Sequence, residues 1–154
     1  MDLLAFRGTD FKIHLPISED LLNKGADNVV QHPELDRLQL TCLGDNRMEI
    51  KFTISPKIVI TRTLQVYVHE DLGFPTNPRM HLTIEHGLKV IDRVVIGFIK
   101  NRLPEWIQLQ SKELFVDLGP VFAMSGMGDY LTRIQTARVE VRSGQLVFDA
   151  SFKN

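Results

Sequence analysis

Residues 88–103 read LKVIDRVVIGFIKNRL, and the interpretation of the whole chain depends on this stretch. When its residues are placed at the helical period of 100°, the charged ones gather on one narrow stripe and the apolar ones cover an arc of roughly 200°. A surface helix needs an apolar arc of only roughly 100° to face a core. The stretch therefore predicts a helix that is covered on several sides, by a curved sheet, by an oligomer interface or by an apolar ligand.

Segments with a period of two surround this helix. Alternating apolar residues predict strands over residues 11–15, 38–42, 48–54, 58–68, 80–84, 107–109 and 114–118, and a closing hairpin over 137–152. Short turns between them indicate antiparallel pairing with one polar face. The predicted fold class is α+β, with a highly curved antiparallel sheet wrapped around the apolar helix and a second helix near the N-terminus.

Three local signals refine this pattern. Ser18 is expected to cap the first helix, with Glu19 and Asp20 in its first turn, and His32-Pro33 to end it. The first strand is expected to end before Pro16. Arg62 falls on the apolar face of a long strand, which predicts a bulge or sharp bend near Arg62 that moves this charge out to water.

Length and composition indicate one soluble globular domain, residues 1–154, since 44% of the residues are hydrophobic and 24% charged. The net charge of -1 provides no field that would attract nucleic acid. No apolar run is long enough to span a bilayer. The sequence as given favours the cytoplasm, whereas the periplasm is expected if an export signal has been removed.

Catalytic signatures are absent from the sequence. Phosphate-binding glycine motifs and nucleophile elbows do not occur, and Cys42, the single cysteine, lies on an apolar strand face where a thiol behaves as a small hydrophobe. His81, Glu85 and His86, joined by His69, are close enough in sequence for a metal site, but their outward alternation on a strand favours a solvated face. A small enzyme that uses His81, Glu85 or Asp117 is the third-ranked hypothesis. The expectation is a non-enzymatic protein without cofactor or metal.

The segment over residues 119–128 combines three glycines with Phe122, Met124 and Met127. Glycine lowers the cost of unusual backbone angles, and the apolar side chains have little reason to lie in an ordinary loop. Two interpretations are equally favoured, a mobile flap that gates an apolar interior and a short buried helix that caps the sheet end.

The order of elements resembles the tubular lipid-binding superfamily, which includes the bactericidal permeability-increasing protein and the SMP domains. The resemblance to short bacterial members extends from ISEDLLNKGADNVVQHPEL and LQLTCLGDNRMEIKFTI through IKNRLPEW and KELFVDLGPVF to ARVEVRSGQLVF. It is a likeness of element order and hydrophobic rhythm, and it implies a lipid or other apolar small molecule as partner.

Surplus apolar surface together with this resemblance predicts non-enzymatic binding of an apolar or lipid-like ligand between the helix and the concave sheet. The expected lining residues are Met80, Leu82, Ile91, Val95, Phe98, Ile99, Phe122 and Met124. The alternative is a structural or oligomerisation module with a filled core and no ligand, in which the apolar surface forms a homo-oligomer interface.

Overall fold

The computed structural model describes residues 10–29, 35–55, 59–87 and 93–153. The elements are β1 (Phe11–Ser18), α1 (Glu19–Val29), β2 (Leu35–Gly44), β3 (Arg47–Ile54), β4 (Ile60–Val68), β5 (Arg79–His86), α2 (Arg93–Arg102), β6 (Ile107–Gln110), β7 (Glu113–Asp117), α3 (Leu118–Met124), α4 (Gly128–Leu131), β8 (Ile134–Arg142) and β9 (Gln145–Phe152). The protein is α+β and mostly antiparallel β.

The nine strands of the described residues form two separate sheets. The larger has six strands in the order β2-β3-β4-β5-β7-β6, and the smaller has three in the order β1-β9-β8. Every pair of neighbouring strands is antiparallel. The described part of the chain starts in the small sheet with β1, forms the large sheet, and returns through α3 and α4 to complete the small sheet.

The hydrophobic core combines side chains from both sheets. Alternating residues of β3, β4 and β5 point to it from the large sheet, while β8 and β9 supply the other side. The largest fully buried side chains are Ile54, Val66, Val68, Leu72, Val139, Val141 and Val147. Each sheet thus covers its apolar face with residues of the other sheet, which removes that area from water.

The predicted wrapped arrangement is therefore wrong. Neither sheet is strongly curled. The helix predicted over residues 88–103 is described only as α2, ten residues long, and residues 88–92 lie outside the described part of the chain. No helix within the described residues is longer than α1, with 11 residues. The period-two pattern of the strands was satisfied by a second sheet instead of a central helix.

Local predictions had mixed outcomes. The Ser18 cap is confirmed, because Leu21 N donates to Ser18 Oγ at 3.3 Å. Pro16 lies inside β1, which tolerates it because β1 is an edge strand and does not need that N–H donor. No bulge occurs at Arg62 in the pairing of β3 with β4, where Arg62 lies opposite Phe52. The register shift of this strand lies at Gln65 and Val66, in its pairing with β5. The predicted helix end at His32-Pro33 lies outside the described residues.

Residues 119–128 are largely helical. The Asp117 carboxylate accepts a hydrogen bond from Gly119 N at 3.0 Å and caps α3, and Met127 N donates to Phe122 O at 2.8 Å after the helix. Phe122 packs against the core, whereas Met124 is 54% exposed. The gating motion predicted for this segment stays a prediction, and hydrogen exchange over residues 121–127 tests it.

Candidate functional site

Polar and aromatic side chains share the face of the large sheet that points away from the core. In β5, Leu82 and Ile84 are buried, so His81 and Thr83 point to the opposite face. The same alternation in β7 places Glu113 and Phe115 there, and His69, which follows β4, continues the outward series of Tyr67. Three adjacent strands therefore present their polar residues side by side.

Two histidines form a directly opposed cross-strand pair at the centre of this face. His69 N donates to His81 O at 3.0 Å, which aligns the two backbones. Their rings are stacked, with centroids 3.9 Å apart and an angle of 9° between the planes. The pairing register of β4 and β5 thus holds two imidazoles next to each other.

Glu113 connects the two histidines from the neighbouring strand. Its Oε2 atom lies 2.5 Å from His81 Nε2 and accepts a hydrogen bond from Thr83 Oγ1 at 2.8 Å. His69 Nε2 lies 2.8 Å from the same Thr83 hydroxyl. Because that hydroxyl donates its hydrogen to Glu113, His69 Nε2 carries the hydrogen that it shares with Thr83.

The surroundings of His69 and Glu113 favour the charge states in which these two groups bind metal. Burial lowers the pKa of His69, and the neighbouring His81 lowers it further, which favours the neutral imidazole. The hydrogen bond from Thr83, and after it the one from His81, lowers the pKa of Glu113, which favours the carboxylate. Neutral imidazole and ionised carboxylate are the forms that bind metal.

His69, His81 and Glu113 each offer one ligand atom, and these atoms all lie within 4.8 Å of one another. In a tetrahedral zinc site, ligand atoms lie about 3.3 Å apart, given metal–ligand distances of about 2.0–2.2 Å. The two imidazole planes are stacked, and each nitrogen lone pair lies in its own ring plane, so the rings must turn towards one another before both nitrogens bind one ion. The His81 and Glu113 side chains are 30% and 39% exposed, so an ion reaches them from solvent.

An aromatic and cationic row flanks the three ligands. Phe115 stacks on His81 with centroids 4.6 Å apart, and the Arg79 guanidinium lies 4.5 Å from the Phe115 ring centroid. On the other side, the Tyr67 ring meets His69 edge-on at 5.0 Å. These contacts stabilise the stacked orientation of the two imidazoles, so binding of one shared ion requires that part of this stacking is lost.

The residues predicted to line an apolar site are not all brought together. Leu82 is buried in the core, and Met80 and Phe122 pack against it, so these side chains contact protein. Met124 lies apart from them on the surface. Ile91 and the side chains of Val95, Phe98 and Ile99 lie outside the described part of the structure.

Sequence reasoning found His69 and His81 but rejected them as a metal site, and it missed Glu113. It grouped them with Glu85 and His86, which are exposed, and Glu85 instead pairs with Arg47 at 2.9 Å. The sequence pattern that could have identified Glu113 is its place next to the inward-facing Leu114. By alternation, Glu113 then points outward like Phe115, two residues later. Alternation identifies the face, but only the strand order places Glu113 next to His81.

Comparison of the chain with protein-family models, curated proteins and solved structures found no match. The resemblance to the tubular lipid-binding superfamily therefore stays a prediction. None of the helices in the described part of the chain has the length and apolar character needed to cross a membrane.

Proposed function

We propose that this protein binds a divalent transition-metal ion through His69, His81 and Glu113. The observation that carries the proposal is the convergence of two imidazole nitrogens and one carboxylate oxygen within 4.8 Å, on three hydrogen-bonded segments of one sheet. Two nitrogen ligands and one oxygen ligand suit Zn²⁺, Co²⁺ or Ni²⁺ better than the hard cations, which prefer all-oxygen sites.

The proposed ligand atoms also form hydrogen bonds, because His81 Nε2 pairs with Glu113 Oε2 and His69 Nε2 pairs with Thr83 Oγ1. An ion takes the lone pairs of His69 Nε2 and His81 Nε2 and moves each ring hydrogen to Nδ1. The hydrogen bonds to Thr83 and Glu113 are exchanged for metal bonds. Three protein ligands leave at least one coordination position for water or a small molecule, as in solvent-accessible zinc sites.

Isothermal titration calorimetry of chelator-treated protein with ZnCl₂ tests the proposal, and CoCl₂ gives an absorption spectrum that reports the ligand geometry. We expect one ion per chain. His81→Ala and Glu113→Gln should each weaken binding by more than about 100-fold, since the loss of an outer-shell partner alone costs about 10–100-fold.

His14→Ala is the matched control. His14 also pairs with a carboxylate, through Nδ1 to Asp149 Oδ1 at 2.6 Å, but on the small sheet. The His14→Ala protein should bind zinc as tightly as the wild type. Thr83→Ala keeps all three ligands and removes the hydroxyl that competes for them, so it should bind at least as tightly. Equal losses in His14→Ala and His81→Ala, or no binding by the wild type, would overturn the proposal.

Binding of an apolar ligand is a second candidate, supported by the exposed methionines Met124 and Met127 at the end of α3. Fluorescent fatty-acid titration tests it, with Met124→Gln as the variant. Leu15→Gln is the control, because Leu15 is an exposed hydrophobic residue elsewhere, on β1. Uptake that is equal in the two variants, or absent in the wild type, would count against this candidate.

A further inference from the structure

The large sheet has an edge at β2, which pairs with β3 on one side only. Such an edge exposes backbone N–H and C=O groups that another strand can bind. At one end of β2 this edge is already occupied by the β8–β9 turn, because Gly144 N donates to Cys42 O at 3.0 Å and Leu43 forms a bridge with Ser143. The remaining edge covers residues 35–42.

Side chains of α1 bind the outward backbone groups of this remaining edge. Asn23 Oδ1 accepts a hydrogen bond from Leu40 N at 2.7 Å, and Asn23 Nδ2 donates to Leu40 O at 3.0 Å. Glu19 Oε1 accepts from Cys42 N at 2.5 Å. Glu19 and Asn23 are four residues apart and therefore share one helix face. Together they make the hydrogen bonds that a neighbouring strand would make.

Few apolar contacts hold α1 in this place. None of residues 19–28 is fully buried, and Leu21 is 59% exposed. Gly25 lies in the middle of the helix, where glycine lowers helix stability relative to alanine. A Cβ atom added at Gly25 would meet nothing within 4 Å, so no close packing accounts for this residue. Among the described side chains of α1, Leu22 packs against the core, so one partly buried apolar residue and the polar contacts of Glu19 and Asn23 attach the helix to the sheet.

We propose that α1 is a reversible cover that prevents the β2 edge from pairing with the β2 edge of a second copy of this chain. An antiparallel pair of identical strands is related by a two-fold axis, so both edges are used and assembly stops at a dimer. The N–H and C=O groups of Leu38 point to the same edge of β2 as those of Leu40, because the two residues are two positions apart in the strand. A pair centred on Leu38 places Arg37 opposite Gln39 of the other copy, so like charges do not meet there.

Asn23→Ala tests the cover, because it removes both hydrogen bonds to Leu40 and leaves the sheet residues unchanged. We expect the Leu40 amide to exchange its hydrogen roughly fivefold faster than in the wild type, the effect of losing one ordinary hydrogen bond. Sedimentation velocity over a concentration series should show a monomer for the wild type and a monomer–dimer equilibrium for Asn23→Ala. Asn28→Ala, at an exposed position of the same helix, should behave as the wild type.

Two further changes in the Asn23→Ala background locate the interface. Gly25→Ala strengthens the helix and should reduce the dimer. Gln39→Lys brings a second positive charge opposite Arg37 of the other copy and should abolish the dimer. An Asn23→Ala protein that exchanges faster yet stays monomeric would overturn the proposal. A dimeric wild type, assembly beyond a dimer, or a dimer unaffected by Gln39→Lys would do the same.

Discussion

Asn46 and Val141 are joined by two hydrogen bonds that connect the two sheets. Asn46 N donates to Val141 O at 3.1 Å, and Val141 N donates to Asn46 Oδ1 at 2.9 Å. Asn46 belongs to the β2–β3 turn of the large sheet and Val141 to β8 of the small one. Among the described residues, Asn46 is the single buried polar or charged side chain, at 6% exposure. Its backbone has a positive φ of 57°, a conformation that asparagine tolerates better than most residues.

Replacement of Asn46 should therefore destabilise the protein. Asn46→Ala loses two side-chain hydrogen bonds, the one that Asn46 Oδ1 accepts from Val141 N and the one that Asn46 Nδ2 donates to Glu70 Oε1. It leaves the Val141 N–H without its partner and places alanine at positive φ. We expect a loss of about 2–3 kcal/mol in the free energy of unfolding, measured by urea denaturation. Asn46→Gly removes the side chain without the backbone strain and should lose about 1 kcal/mol less.

Asp45→Asn is the control for Asn46, because Asp45 has a similar φ of 51° but is exposed. It should leave the free energy of unfolding within about 0.5 kcal/mol of the wild type. A similar loss in Asp45→Asn and Asn46→Ala would show that the turn conformation matters and that the connection to Val141 does not.

A bound metal ion should raise the melting temperature, because the three ligands lie on adjacent strands of the folded protein. At a zinc concentration of about 100 times Kd, binding adds about 2.7 kcal/mol of stability. For a chain of this length, that corresponds to a rise of roughly 5–10 °C. Differential scanning calorimetry of chelator-treated protein, with and without ZnCl₂, measures it.

MgCl₂ is the control ion, since Mg²⁺ requires oxygen ligands and should not shift the melting temperature. His81→Ala should melt at the same temperature with and without zinc. A zinc-dependent rise that persists in His81→Ala would place the ion elsewhere in the protein.

The thiol of Cys42 should react slowly in the folded protein. Burial, and after it the negative charge of Glu19, raises the pKa of Cys42 from 9.0 to about 11. The thiolate is the reactive form, and at pH 8 its fraction is about 0.001. Modification by a chromogenic disulfide should therefore accelerate about tenfold per pH unit between pH 8 and 10, whereas in guanidinium the exposed thiol reacts at once.

The same shift makes stability depend on alkaline pH. The folded pKa lies above the unfolded one, so the Cys42 contribution is fully present below about pH 9 and is lost as the pH rises towards about 11. Cys42→Ala should remove this part of the pH dependence of the urea midpoint. Identical alkaline profiles for the two proteins would contradict the assignment to Cys42.

The turn before β5 should not tolerate a side chain at Gly73. Its φ is 72°, and an added Cβ atom would lie 2.3 Å from the Asn77 carbonyl oxygen, which forces the turn to shift. Gly73→Ala should lose more than about 2 kcal/mol in urea denaturation. Gly126→Ala is the matched control, with a similar φ of 73° but open space around it, and should lose only about 1 kcal/mol. Equal losses of unfolding free energy in Gly73→Ala and Gly126→Ala would mean that backbone strain at positive φ, and not the contact with Asn77, destabilises Gly73→Ala.

Individual elements were more predictable than their arrangement. The alternation of Leu82 and Ile84 with His81 and Thr83 is a property of the chain itself, because successive side chains of a strand point to opposite faces. The N-cap at Ser18 is equally local, since its hydrogen bond reaches only three residues ahead. Such patterns also identified the closing hairpin, where β8 and β9 pair around a short turn.

The partner of each apolar face was not predictable in this way. A strand can bury its apolar face against a helix or against a second sheet, because the hydrophobic effect does not depend on direction. The wide apolar arc over residues 88–103 favoured the helix, and this inference produced the wrong fold. The junction of Asn46 with Val141 joins residues 95 positions apart, which no local pattern reveals.

The candidate metal site likewise combines features that the sequence determined with features that only the tertiary structure decided. The sequence by itself determined that His81 and Thr83 share one face of a strand and that Leu114 and Val116 share one face of another, because a strand alternates its side chains. Only the tertiary structure decided that β5 lies between β4 and β7, with Thr83 opposite Glu113 and His69 beside His81. Strand order and register arise from long-range backbone pairing and core packing, and these depend on the whole chain at once.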